Sequence, residues 1–247
     1  GTLVAGSEAE PAIYMDSMHR LLKTVAGVPM MRPLEFFDID AQGEALNDVG
    51  THLVDLAQWI GFPDVALDYR TDIQMLGARR WPTTLSAEQW ARVTGEKREA
   101  AFDYYGNNFV SYTLRGVHVQ MNVRWDLEGV SDTYVARFQG TQSSIEVRQG
   151  EPEKFRPEVY VVPNSEALRA EVLAGLAGYD VEDLGGEFRL RIPEEQRVGH
   201  EAHFAEVTRQ FFAYLRDPKL LPAWEKPCML AKYFVSTRGV EMALEKA

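Results

Sequence analysis

The sequence predicts an α+β fold: a large, mainly antiparallel, open-faced sheet with helices packed on one face. Three observations carry this. Strand-like segments at Phe109 to Leu114, Val117 to Trp125, Thr133 to Gln139 and Ser144 to Arg148 follow one another across turns at Leu114-Arg-Gly116, Leu127-Glu-Gly129 and Gln139-Gly140-Thr141, as consecutive antiparallel strands do. From Val117 to Trp125 every odd position is apolar and every even one polar, so one face is buried and the other is wet or covered by another subunit. Helical periodicity appears on both sides of this region, around Leu46 to Trp59, Gly199 to Leu215 and Lys226 to Leu244.

Taken in order, Ala12 to Val25 reads as a helix ended by Gly27 and Pro29, with Ile13, Leu21, Leu22 and Val25 apolar and His19 at a solvent-facing or core-edge position. Met30 to Asp40 reads as a strand or extended loop leading into the Ala41 to Glu44 turn. Val65 to Gly77 alternates like a strand, and Trp81-Pro82-Thr-Thr84 reads as a break. Ser86 caps a short helix to Val93 with Glu88 and Gln89 in its first turn, an insertion placed as a lid. Val159 to Val162 adds a strand, Ser165 to Leu176 a helix, and Phe188 to Ile192 an edge strand charged at Arg189 and Arg191. His118 falls on the polar face of its strand. No repeat or interior linker appears, so residues 1–247 read as a single domain.

Composition excludes several classes. The chain has 247 residues, 45% hydrophobic content and a net charge of −11, which gives a well-packed core and no basic footprint for nucleic acid. The single cysteine, Cys228, leaves no intrachain disulfide framework and reads as a packed residue. No apolar run approaches the roughly 20 residues that span a bilayer. No targeting signal is visible, and the compartment stays open between cytoplasm and periplasm. The sequence opens on Gly1 without methionine, as a processed or truncated chain would.

The chemistry concentrates in Leu46 to Ile60. Val49, Leu53, Leu56 and Ile60 form a core stripe, and Asp48, His52, Asp55 and Trp59 repeat the spacing one residue earlier, about 100° around the helix. A carboxylate four residues before an imidazole can orient the ring and support its protonated form, the arrangement of a general acid/base. Gly50 weakens the helix relative to Ala, which implies a close approach to its backbone by a substrate or crossing strand. A plain amphipathic helix with a polar edge gives the same local pattern. Arg32, Asp38 and Glu44 arrive near the start of this helix, where an arginine suits an anionic or polyhydroxylated ligand. His200, His203 and Glu206 share a helix face but lack further ligands, so no metal site is assigned.

Asp48-Val-Gly50-Thr-His52-Leu-Val-Asp55-Leu resembles the D-x-G-x-H-x-x-D-L segment of the glucose-fructose oxidoreductase, inositol dehydrogenase and MocA (Gfo/Idh/MocA) family, where it opens a helix of the C-terminal, substrate-binding domain. The order of elements over roughly residues 30 to 247 is similar too. Met18-His19-Arg-Leu-Leu, Arg32-Pro33, Phe36-Phe37-Asp38 and Gln42-Gly43-Glu44 look like the Bacteroidetes-type branch described as a "putative oxidoreductase C-terminal domain". The sequence contains no Gly-x-Gly-x-x-Gly turn, hence no Rossmann half, and Glu225-Lys226-Pro227 matches a family tripeptide only by coincidence of spelling.

The resemblance implies the substrate-binding and catalytic-base half of a nicotinamide-dependent oxidoreductase acting on a sugar, cyclitol or related polyol, inactive without an N-terminal domain that holds NAD or NADP. It implies His52 as the base, Asp48 as its orienter, and Asp55, Arg32 and Glu44 as substrate contacts. It also implies homo-oligomerisation through the open sheet face. Two alternatives stand beside it: half of an NAD-dependent glycoside hydrolase, and a non-catalytic carbohydrate-binding or scaffolding domain.

Overall fold

The computed structural model describes residues 1–25, 28–197 and 200–245. The first long element corrects the sequence reading, because Ile13–Arg20 is a strand, β1, and not part of a helix. Ile13, Met15 and Ser17 alternate inward along it, a period of two that the apolar count over Ala12 to Val25 obscured. A two-stranded hairpin follows, β2 (Thr24–Val25) with β3 (Val28–Pro29). Met30 to Asp40 is not extended. It holds a 3-10 turn, Leu34–Phe37, and a short helix α1 (Ile39–Gln42), which Asp38 caps by accepting from the backbone N–H of Asp40 and Ala41.

Next come α2 (Val49–Gly61), β4 (Ile73–Leu85) and α3 (Ala87–Thr94). The Ser86 capping box with Gln89 is present, as the sequence indicated. Then follow β5 (Phe102–Leu114), β6 (Val117–Asp126), β7 (Thr133–Gln139), β8 (Ser143–Gln149) and β9 (Glu158–Pro163). The chain continues through α4 (Arg169–Gly175), β10 (Val181–Asp183), β11 (Phe188–Leu190), α5 (His200–Arg216) and α6 (Glu225–Glu245).

Nine strands form one sheet in the order β10-β11-β9-β8-β7-β1-β6-β5-β4. Every pairing is antiparallel except β1 with β6, where Ile13 stands beside Val119 and Met15 beside Met121. Two readings change here. β11 is interior and β10 is the edge. Pro82 does not break a strand but sits at the bulge between Trp81 and Thr83 in β4, the opposite edge of the sheet, where a missing N–H disrupts no inner ladder.

The core lies between the sheet and helices α2 and α6. Ile13, Met15, Val110, Tyr112, Val119 and Met121 from the sheet meet Leu53, Val54 and Ala57 of α2 and Ala231 and Val235 of α6, all of them buried. A smaller cluster of Val161, Val172 and Phe188 fixes α4 over the far end of the sheet. The helix α5 differs, because Val207, Phe211, Phe212 and Leu215 remain exposed on it and it packs mainly on the Pro218–Leu220 turn.

Candidate functional site

The start of α2 is held by buried polar bonds to the sheet. Glu44, 4% exposed, takes Arg80 Nη1 of β4 on Oε1 at 2.5 Å and Asn108 Nδ2 of β5 on Oε2 at 2.8 Å. Asn108 Oδ1 in turn accepts the Leu46 backbone N–H at 3.0 Å. The turn before the helix is therefore tied to two strands, which sets where Asp48 and His52 emerge. Gly50 is explained by the same turn, since a Cβ there would lie 2.8 Å from Leu46 Cδ1. What approaches its backbone is the chain's own leucine.

His52 is exposed, and among the described residues its side chain makes no hydrogen bond. Asp48 does not bond to it. The Asp48 carboxylate acts instead on Arg32 and Tyr104, favouring the protonated form of each. Asp55, next along the helix, accepts on Oδ2 from Lys232 Nζ of α6 at 2.8 Å. Burial raises its pKa, opposed by Lys232 and by His52. Glu44 thus serves an internal network, Asp55 pins α2 to α6, and Asp48 and His52 share the open end of the helix.

Arg32 is buried against this end. Its guanidinium lies 4.9 Å from the Phe36 ring centre and 5.2 Å from that of Trp125, in cation-π range. Nη2 donates to the Arg20 carbonyl at 3.0 Å, while Nε is buried without a partner among the described residues. Burial lowers its pKa, against the pull of Asp132, Tyr104 and Asp48.

Sequence reasoning missed the rest of this cluster. Tyr104 is 5% exposed within the Phe36 and Phe37 rings, and burial pushes its hydroxyl pKa well above the ordinary phenol value. Gly106 makes room for it, since a Cβ there would stand inside the Tyr104 ring. Trp125 stacks on His19 at 4.8 Å. His19 Nε2 lies 2.8 Å from Ser17 Oγ and Nδ1 lies 3.6 Å from Asp132 Oδ2, which also takes Lys23 Nζ at 2.8 Å. The available signal was period two: Ser17 and His19 share a face once β1 is a strand, and Tyr104 joins once β5 begins at Phe102.

Chemically, the cluster offers an accessible imidazole, a carboxylate, a buried cation and a phenol around one helix end. Hollows elsewhere among the described residues are lined by other side chains, one of them by Phe37 and Asp38 of the segment before α1. No group of three or more His, Cys, Asp or Glu side chains among the described residues could hold a metal ion; the side chain of His200 lies outside those described. No helix among the described residues is long and apolar enough to cross a membrane. The Glu225-Lys226-Pro227 tripeptide opens α6.

Residues 1–244 match a family described as "Putative oxidoreductase C terminal domain". The chain belongs to this family. A search of curated proteins returns no match. The crystal structure of a "putative oxidoreductase" from Parabacteroides merdae aligns with this oxidoreductase C-terminal domain at a TM-score of 0.93 and 35% identity, covering 100% of this chain and 62% of that one. Levoglucosan dehydrogenase in its apo form aligns at 0.60 with 14% identity, over 95% of this chain and 57% of that one. Its complex with NADH and levoglucosan aligns at 0.57 with 14% identity and the same coverage. These last two likenesses are of fold. The oxidoreductase C-terminal domain spans about three-fifths of the length of these structures.

Proposed function

We propose that this oxidoreductase C-terminal domain is the substrate-binding and catalytic-base half of a nicotinamide-dependent oxidoreductase of Gfo/Idh/MocA type, acting on a sugar, cyclitol or related polyol. The observation that carries the reading is an exposed His52 standing one helical turn beyond Asp48, on a helix end tied to the sheet by Glu44, Arg80 and Asn108. Membership of an oxidoreductase family supports it. So does the fold shared with a dehydrogenase whose complexes hold NADH with levoglucosan or L-sorbose.

The chain has no glycine-rich phosphate turn and does not itself fit a dinucleotide, so NAD or NADP belongs in this reading to a domain outside the present sequence. The steps assigned to this chain are those of its own side chains. Free of internal bonds, His52 Nε2 or Nδ1 takes the proton from a substrate hydroxyl. Asp48, one helical turn earlier, accepts a neighbouring substrate hydroxyl, and Arg32 and Tyr104 hold others by hydrogen bonds. The face of the sheet away from α2 and α6, with the bidentate Arg124–Asp16 pair at its centre, serves assembly into a homo-oligomer.

The test uses the intact protein with its cofactor-binding part. His52→Ala is expected to lower turnover by about 10²- to 10⁴-fold, the usual contribution of a general base, with an unchanged circular-dichroism spectrum. Turnover at the parent level in that variant would remove His52 from the reaction.

A further inference from the structure

On the other side of the aromatic cluster lies an open hollow of about 420 Å³, walled by Leu34, Phe37, Trp90, Phe102 and Tyr105, with Asp38 and Asp103 among its lining residues. It joins the segment before α1 to the helix α3 that the sequence marked as an insertion. We propose that this hollow is a second carbohydrate subsite, so that the substrate is an oligosaccharide or glycoside whose further unit rests there. This rests on the sugar reading above and extends it.

The first argument is the chemistry of the walls. Sugar rings present apolar C–H faces and peripheral hydroxyl donors, and they suit aromatic and aliphatic surfaces flanked by fixed acceptors. Both carboxylates here are held by one oxygen and keep the other. Asp38 Oδ1 accepts the backbone N–H of Asp40 at 3.0 Å and of Ala41 at 3.3 Å, and Asp103 Oδ1 accepts Thr84 Oγ1 at 2.6 Å. Neither Oδ2 has a partner among the described residues. An apolar protein surface laid over the hollow would desolvate these oxygens without donors, which is costly, whereas hydroxyls satisfy them.

The second argument is continuity. Phe36 faces Arg32 and Trp125 at the candidate site, and its neighbour Phe37 lines the hollow. Phe37 also contacts Tyr104 at 5.2 Å on one side and Trp90 at 4.9 Å on the other. One aromatic layer therefore separates the residues that would hold the reacting unit from those that would hold the next. A ligand of one sugar ring reaches only the first group.

The intact protein with its cofactor-binding part is titrated calorimetrically with glucose, cellotriose and maltotriose, alongside its Leu34→Ala/Asp103→Ala variant; both residues are exposed, so the fold is retained and circular dichroism checks it. At least one trisaccharide is expected to bind about tenfold or more tighter than glucose, equivalent to about 1.4 kcal/mol, and the variant is expected to lose that advantage. Trisaccharides binding no tighter than glucose, no binding of any of the three, or an advantage that survives in the variant would each overturn the subsite. Turnover of the intact protein and its His52→Ala variant reads the redox assignment separately. A trisaccharide advantage with His52-independent turnover would retain the subsite and reject the base.

Discussion

Glu44→Gln separates a structural anchor from a substrate contact. In the parent both carboxylate oxygens accept, one from Arg80 and one from Asn108, and the Arg80 and Glu44 side chains are 15% and 4% exposed. Glutamine can present its oxygen to Arg80, but its NH₂ then faces the Asn108 NH₂. Turning Asn108 over would release the Leu46 N–H that its oxygen holds at 3.0 Å. The facing NH₂ groups of the glutamine and of Asn108 are left without an acceptor, at about 1–3 kcal/mol together, and the Arg80 guanidinium loses its anionic acceptor, at about 1 kcal/mol more. The expected loss is therefore about 2–4 kcal/mol, short of the roughly 3–5 for abolishing a buried pair. Urea denaturation followed by tryptophan fluorescence measures it, with a shifted midpoint at unchanged slope. Adding Asn108→Asp returns a carboxylate to the network: the new aspartate accepts from the Leu46 N–H and from the introduced glutamine's NH₂, while that glutamine's oxygen accepts from Arg80. The double variant should recover at least about 1 kcal/mol as coupling energy. A Glu44→Gln protein within about 0.5 kcal/mol of the parent, or a double variant no more stable than the single, would refute the network and free Glu44 for a ligand.

Two charge pairs predict opposite pH behaviour. Burial pushes the Asp132 carboxyl up, but His19, Lys23 and the Arg20 backbone N–H together outweigh it and hold the group well below its ordinary 3.8. A depressed native pKa stabilises above the unfolded value and ceases to do so as pH falls through the native one. Asp132→Asn should thus cost about 1–3 kcal/mol at pH 7, and the gap should close as denaturation is repeated at pH values progressively below 3.8; a gap constant with pH would contradict the ionic role. Asp55 is the reverse, raised by burial against the pull of Lys232. The native state binds its proton more tightly than the unfolded chain, so stability falls as pH rises through the native pKa. Lys232→Met removes the compensating charge and raises that pKa further. The variant should lose about 3 kcal/mol at pH 7 and clearly less near pH 4, measured by thermal melts; equal losses at both would place the pair's value in packing alone.

What the sequence could and could not yield follows from where the information lies. The strand Val117 to Trp125 was legible because one face meets the core and the other does not, so its alternation is local. The Ser86 helix was legible because a capping box is a four-residue event. β1 was not, because its partners are β6 and β7, about a hundred residues away, and Tyr14, Asp16 and Met18 between its buried positions mimic no simple pattern. On α2 the buried face was read in part: Leu53 is buried and Val49 and Leu56 pack on the core. Gly50, Leu53, Val54, Ala57 and Gln58 face inward, while Ile60 is 43% exposed. A polar residue enters that face because Gln58, with its amide nitrogen turned to the Cys228 carbonyl at 3.1 Å, is satisfied by α6, which hydropathy does not register.

The same distinction governs the candidate site. Asp48 and His52 could be named from spacing because they share one helix, but spacing carries no sign of Arg32 and Tyr104, on which the Asp48 charge also acts. Groups collected from β1, the segment before α1, β5 and the β6–β7 turn have no sequence spacing in common. They meet because β1 is inserted between β6 and β7, which carries His19 to Trp125 and the Asp132 turn. Trp125 and Phe36 then lie against the Arg32 guanidinium. The buried cation is thereby held by two rings and a backbone carbonyl, with no direct carboxylate partner among the described residues, and Asp48 stays available at the helix end. An arginine paired directly to Asp48 would have consumed the acceptor that the proposed polyol substrate would use beside His52.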